Sequence, residues 1–118
     1  MNRQLDIAIA EGLGYDIHYN YGDHIGEHRY RKGHRSYMIP YYCADGAAMV
    51  ELMSAMWLQG YKFYFVSGVL NTALFVKHDC VSEVDDITKM GSFSLSPTYA
   101  VALAAYKALT GEEWKDDE

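Results

Sequence analysis

The sequence predicts an α+β fold, a layered α/β/α sandwich around a small antiparallel sheet. Three observations carry this. An aromatic and β-branched hairpin spans residues 61–78, long helical patterns precede and follow it, and neither face of the hairpin is polar. A sheet apolar on both sides is covered on both, by helices or by another subunit.

Each element follows from local chemistry. Leu5, Ile7, Ala8, Ile9 and Leu13 form a short amphipathic helix, stopped by Gly12 and Gly14. Residues 15–42 hold neither a period of 2 nor one of 3.6 throughout. Short strands are expected over Asp16–Tyr21 and residues 36–39, the second ended by Pro40; the rest reads as a long ordered loop or an irregular hairpin. From Ala44 to Gly60 the pattern is helical, with Asp45 in the first turn and Met49, Val50, Leu52, Met53, Met56 and Trp57 as a broad apolar stripe.

Strands follow over residues 61–67 and 72–78, joined by a turn at 68–71. In the first strand Tyr61, Phe63 and Phe65 alternate with Lys62, Tyr64 and Val66. The acidic stretch 79–89, with Val81, Val84 and Ile87, is an edge strand or a loop. Ser96 and Pro97 then supply an N-cap and a first helical residue, and an alanine-rich helix over 98–109 stops at Gly111. The tail, 112–118, is acidic and frayed. No internal repeat or linker divides the chain, so residues 1–118 read as one domain.

Bulk composition narrows the function classes. The chain has 118 residues, half of them hydrophobic and 14% aromatic, enough for one core. A net charge of −6 argues against duplex nucleic acid and against a membrane surface as partners. The start lacks the apolar stretch of a signal peptide, and no apolar run reaches the ~18 residues of a membrane span, so a cytoplasmic protein is expected. Cys43 and Cys80 have no ligand-like spacing and read as buried, reduced thiols.

Three stretches carry a family resemblance. They are Leu5-Asp6-Ile7-Ala8-Ile9-Ala10-Glu11 followed by Gly14; Tyr42-Cys43-Ala44-Asp45-Gly46-Ala47-Ala48-Met49; and the closing run from Ser96-Pro97-Thr98-Tyr99 through Ala108-Leu109. These are similar to the small phage proteins grouped as the phage ABA sandwich domain. Cys43-Ala44 stands where that family has Ser-Thr, and Tyr15 or Tyr19 where it has a tryptophan. The resemblance implies the sandwich fold and a phage or prophage origin. It supplies no catalytic residues.

The richest candidate site is the segment 15–42. It holds seven of the eleven tyrosines, four of the five histidines (His18, His24, His28, His34) and four of the ten lysines and arginines. Arg29, Arg31, Lys32 and Arg35 are candidate phosphate partners, His34 sits among them, and Tyr30, Tyr37, Tyr41 and Tyr42 are candidate stacking partners for a base. Gly33 offers close backbone approach. This inventory suits a small anionic nucleotide, held without catalysis and without a cofactor by a homo-oligomer. The competing reading is a solvated loop whose tyrosines complete the core.

With the phage resemblance, the expected role is sequestration of a nucleotide signal of bacterial anti-phage immunity. The alternatives are an interaction module that blocks a host protein, and a metal-dependent enzyme built on the histidines. For the last, His24 and His28 are four apart with Asp23 and His34 near, but Gly22 and Gly26 disfavour the helix that would pair them, and His78, Asp79 and Cys80 complete a set only by folding. A Cys/His nucleophile at Cys43 or Cys80 lacks any activating motif. Tyr64 and Phe75, bracketed by Lys62 and Lys77, are expected to share a sheet face that a helix or a subunit covers. Met49, Met53 and Met56 read as core filler or as a Met-lined partner surface.

Overall fold

A computed structural model describes residues 3–21, 24–77 and 91–115. Helix α1 spans Arg3–Gly12, and strands β1 (Asp16–Tyr21), β2 (His24–Lys32) and β3 (Arg35–Met38) follow it. Helix α2 covers Gly46–Leu58, and β4 (Tyr61–Val66), β5 (Asn71–Lys77) and β6 (Ser92–Ser94) lead to the last helix, α3, Pro97–Thr110. The fold is α+β, with two three-stranded antiparallel sheets, β1-β2-β3 and β4-β5-β6. The acidic stretch 79–89 lies outside the described residues.

The second sheet and the helices form the core. Tyr61, Phe63 and Phe65 share a face with Phe75 and Ala73, because Phe63 pairs with Phe75 and Phe65 with Ala73. The Phe63 and Phe75 rings lie 4.9 Å apart. Tyr64 therefore pairs with Leu74, and the expectation that Tyr64 and Phe75 share a face is corrected: Phe75 is buried beneath the helices. The cause is register. A hairpin connection one residue different would have exchanged the faces, since side chains alternate with period two.

Helix α3 lies over β5 and β6, and α2 lies over β4. Five small or β-branched residues of α3, Ala100, Val101, Ala102, Ala104 and Ala105, are buried, which lets the helix sit close to the sheet on one side and to α1 on the other. A Cβ built on Gly12 would come within 3.2 Å of Leu109, so the end of α1 and the end of α3 nearly touch. The capping of α3 is as its sequence implies: Ser96 accepts from the Tyr99 amide at 3.4 Å, and Gly111 takes φ +79°, its N–H donating to the Lys107 carbonyl at 2.8 Å. Helix α2 begins two residues later than expected, because Asp45 is its N-cap and accepts from the Ala47 amide. Met56 is fully buried, while Met49 and Met53 are half-buried against the core.

Within the segment 15–42 the expected strand Asp16–Tyr21 is β1 and the one expected over 36–39 overlaps β3, while the stretch between, expected as a loop or irregular hairpin, forms β2 and completes the first sheet. Tyr19 pairs with His28, Ile17 with Tyr30, and Tyr30 in turn with Tyr37. Gly33 and His34 close β2 to β3 in a two-residue turn, and Gly33 has φ +66°. Glycine first in such a loop, followed by a residue of negative φ, is the type II′ hairpin, whose twist matches that of the strands. Gly33 thus makes the turn. This sheet meets the rest of the chain along its base, where Tyr15, Ile17 and Tyr30 touch the core. The molecule measures 48 × 31 × 24 Å, with a radius of gyration of 14.7 Å against the ~13.5 Å expected of a compact chain this long.

Candidate functional site

Strand alternation decides which of the nine candidate residues can act together. Residues opposite each other in an antiparallel pair lie on one face, and so do residues two apart. Tyr30 and Tyr37 are opposite, as are Lys32 and Arg35, so these four share a face. Arg29 pairs with Met38 and Arg31 with Ser36, which puts both arginines on the other face. The basic cluster that is contiguous in sequence is divided in space.

The tyrosine face is ordered by ring stacking. Tyr15, immediately before β1, stacks on Tyr30 at 4.6 Å between centroids, and Tyr30 stacks on Tyr37 at 5.3 Å. The interplanar angles are 25° and 27°. The ladder crosses the sheet from core to edge, and its last ring, Tyr37 on edge strand β3, is 39% exposed. Burial, with Tyr15, Glu51 and Tyr37 near, raises the Tyr30 pKa above the usual phenol value. The ring stays neutral at working pH and presents a π-face without the charge that would repel a phosphate. At the hairpin end of the same face, Lys32 and Arg35 are exposed, and no hydrogen bond or ion pair among the described residues engages either.

Other members of the predicted set have structural work instead. Arg29 donates from Nε to Ser36 Oγ at 3.1 Å and from Nη2 to the Ser36 carbonyl at 3.2 Å, with Glu27 3.7 Å away. Tyr41 lies under the Arg3 guanidinium, 3.8 Å from its centroid. Two shallow cavities of about 250 and 230 Å³ flank Tyr41; Asp45 and Glu51 contribute to the walls of the first, which does not suit an anion, and Glu27, Arg3 and His28 to those of the second. Arg31 is exposed on the arginine face, and His34 is exposed in the turn.

Tyr42 is a core residue, 1% exposed. Its hydroxyl is buried without a hydrogen bond of good geometry, and burial, followed by the neighbouring Tyr15 phenol, drives its pKa far up. A buried hydroxyl with no partner costs more than it contributes. Tyr42→Phe is therefore expected to leave stability unchanged or to raise it by up to about 1 kcal/mol in urea denaturation. A clear loss would show that the hydroxyl has a partner.

The anchor of the whole segment is a group that the sequence reading did not single out. Asp6 of α1 is fully buried. Its Oδ1 accepts from the Cys43 amide at 3.0 Å, and its Oδ2 takes the Arg3 guanidinium at 2.8 Å. Arg3 also donates to the carbonyls of Ile39 at 2.9 Å and Pro40 at 3.2 Å. From the other side, Thr98 Oγ1 donates to the Cys43 carbonyl at 2.8 Å. The link between the first sheet and α2 is thus held by α1 and α3 together. An acidic residue inside an otherwise apolar helical stripe was the sequence signal available for Asp6.

These contacts also bear on the nucleophile and metal readings. Cys43 is a buried thiol in no disulfide among the described residues; burial first, then the hydrogen bond and charge of Asp6, raise its pKa far above the usual range, so it stays protonated. The histidines are dispersed. His18 Nε2 lies 3.1 Å from Asp16 on the arginine face, and His28 leans on Tyr19 at 4.6 Å on the tyrosine face. Asp23, the His24 side chain, His78, Asp79 and Cys80 lie outside the described residues. Among the described residues no three His, Cys, Asp or Glu side chains gather as ligands, and no helix is long and apolar enough to cross a membrane.

Compared with family models, with curated proteins and with solved structures, the chain has no match in any of the three.

Proposed function

We propose that this chain is a non-enzymatic binding protein that takes a small anionic nucleotide at the open end of its tyrosine ladder. The base stacks on the outer face of Tyr37, and Lys32 and Arg35 pair with the phosphates. The observation that carries this is the end of the ladder: a half-exposed ring, backed by two stacked rings, with two cations on the same face that no described residue engages. Rings already stacked on one another lose little freedom when a further ring is added, so the platform is preorganised. The three stretches similar to phage ABA sandwich proteins support a phage or prophage origin. With it comes the biological role: capture of a nucleotide signal of anti-phage immunity in the host bacterial cytoplasm.

A thermal-shift panel of cyclic and ADP-ribose-type nucleotides tests the reading. Binding raises the melting temperature by mass action, and the ligand is recovered intact. Base stacking on one aromatic ring contributes ~1–3 kcal/mol, so Tyr37→Ala is expected to weaken binding by about tenfold or more. Lys32→Ala and Arg35→Ala remove part of the salt dependence, while Arg31→Ala, on the opposite face, leaves affinity unchanged. A panel with no shift, or a shift indifferent to Tyr37→Ala, overturns the proposal.

A further inference from the structure

Helix α2 is apolar well beyond the side that it buries. Ala48, Leu52 and Met56 are buried toward the core. On the adjoining side, Val50, Met53 and Trp57 recur at spacings of three and four; Met53 is half-buried against the core, while Val50 and Trp57 stay exposed. That stripe, with Leu58, Tyr61 and Phe63, lines an apolar groove of about 440 Å³. Val50, Trp57, Leu58 and Phe65 are 57, 59, 85 and 38% exposed.

The groove lies beside an open strand edge. Helix α2 sits over β4, and α3 sits over β5 and β6. Strand β4 is the edge of its sheet, paired only with β5 among the described residues. Its outer backbone groups have no ladder partner there, and no proline or bulge blocks them. An open edge next to an apolar groove calls for a strand that brings its own apolar cover. This chain has one: β4 with α2 above it.

We propose that two copies of the chain pair through β4, antiparallel about a twofold axis normal to the sheet, into a continuous six-stranded sheet. This inference is independent of the nucleotide reading. The symmetry restricts the register. An axis normal to the sheet keeps each face on its own side, so residues opposite each other have numbers of equal parity. In the central registers this leaves, Phe63 meets Tyr61, Phe63 or Phe65 of the second copy, and the two α2 helices come side by side on one face, groove to groove. The first of these sets Lys62 against its own counterpart, and like charges directly opposite are destabilising; in the other two Lys62 stands opposite Tyr64 or Val66.

Area and charge agree with that occupant. Val50, Trp57, Leu58 and Phe65 alone expose on the order of 450 Å², against roughly 800 Å² per partner in a standard interface. The strand backbone, Met53, Ser54 and Phe63 supply much of the remainder. Two copies of a chain with net charge −6 repel, and the groove is the surface on which they approach without bringing carboxylates together, since none of its lining residues is charged.

Sedimentation of the wild-type chain, in parallel with Val50→Glu/Leu58→Glu, tests this. The wild type is expected at twice the 13.4 kDa of one chain, and the double variant at a single chain mass with its circular dichroism unchanged. If the double variant does not fold, Leu58→Glu alone, at the most exposed of these positions, decides. Hydrogen exchange gives the second readout: outward-pointing β4 amides are protected in the wild type and exchange fast in the variant. A wild type that sediments as a single chain at about 100 µM, a hundred times a micromolar Kd, overturns the proposal and leaves the groove to another protein. A dimer that the folded variant keeps overturns it as well.

Discussion

Asp6→Ala is expected to lower stability by about 3 kcal/mol in urea denaturation. The carboxylate is fully buried and holds the Cys43 amide, so its removal leaves a buried N–H without an acceptor, which alone costs ~1–3 kcal/mol. The Arg3 ion pair adds less, because the Arg3 side chain keeps 33% of its surface in water. Asp6→Asn separates the two contributions. The amide oxygen still accepts from Cys43, so that variant is expected to lose roughly half as much. Equal losses for both substitutions would show that the charge matters more than the hydrogen bond. The effect reaches beyond stability, since Asp6, Arg3 and Thr98 fix the chain between Ile39 and Cys43 and so set the first sheet against α2.

Leu52→Ala is expected to cost ~2–5 kcal/mol. Leu52 is fully buried on the inward side of α2, in a core that also contains Ile9 of α1, Phe75 of β5 and Val101 of α3. Deleting its branched end opens a cavity that these elements cannot close by small shifts, because α3 is held at both caps. Set against a typical total of about 5–15 kcal/mol, this substitution alone brings the domain close to unfolding. Leu58→Ala, on the same helix but 85% exposed, is the control and is expected to change the stability of the isolated chain by no more than about 0.5 kcal/mol. A small loss at Leu52 would mean that the core is looser than its burial implies.

The parts of the fold that the sequence announces are those with one-sided chemistry. Ser96, Pro97 and Gly111 mark α3 because each has a single strong local preference, for the cap, the first turn and the left-handed stop. The hairpin of β4 and β5 is visible in its aromatic and β-branched runs, but its register is not, which is why Phe75 is found opposite Phe63 rather than beside Tyr64. The first sheet is obscured for a different reason. Its alternation runs between tyrosine and arginine at residues 29–31, and neither partner is plainly apolar, so the period of two leaves no hydropathy signal. The two-residue turn at Gly33 and His34 was the cue that remained.

The candidate site follows the same pattern. Tyr30, Tyr37, Lys32 and Arg35 are brought together, whereas Arg29, Arg31, Tyr41 and Tyr42 are carried away by strand alternation and by the chain bend after β3. A run of basic residues reads as one patch only until the chain is known to be extended there. Tyr15, which begins the ladder, is 15 positions from Tyr30 in sequence, and only the β1–β2 pairing brings them into contact.

The most direct measurement is an isotope-filtered nuclear Overhauser spectrum of the chain with a bound nucleotide. Cross-peaks from the base protons to the ring of Tyr37, with phosphate-dependent shifts at Lys32 and Arg35, are the result expected here. Saturable binding whose cross-peaks reach the arginine face or the surroundings of Tyr41, and leave the Tyr37 ring unmoved, would contradict it.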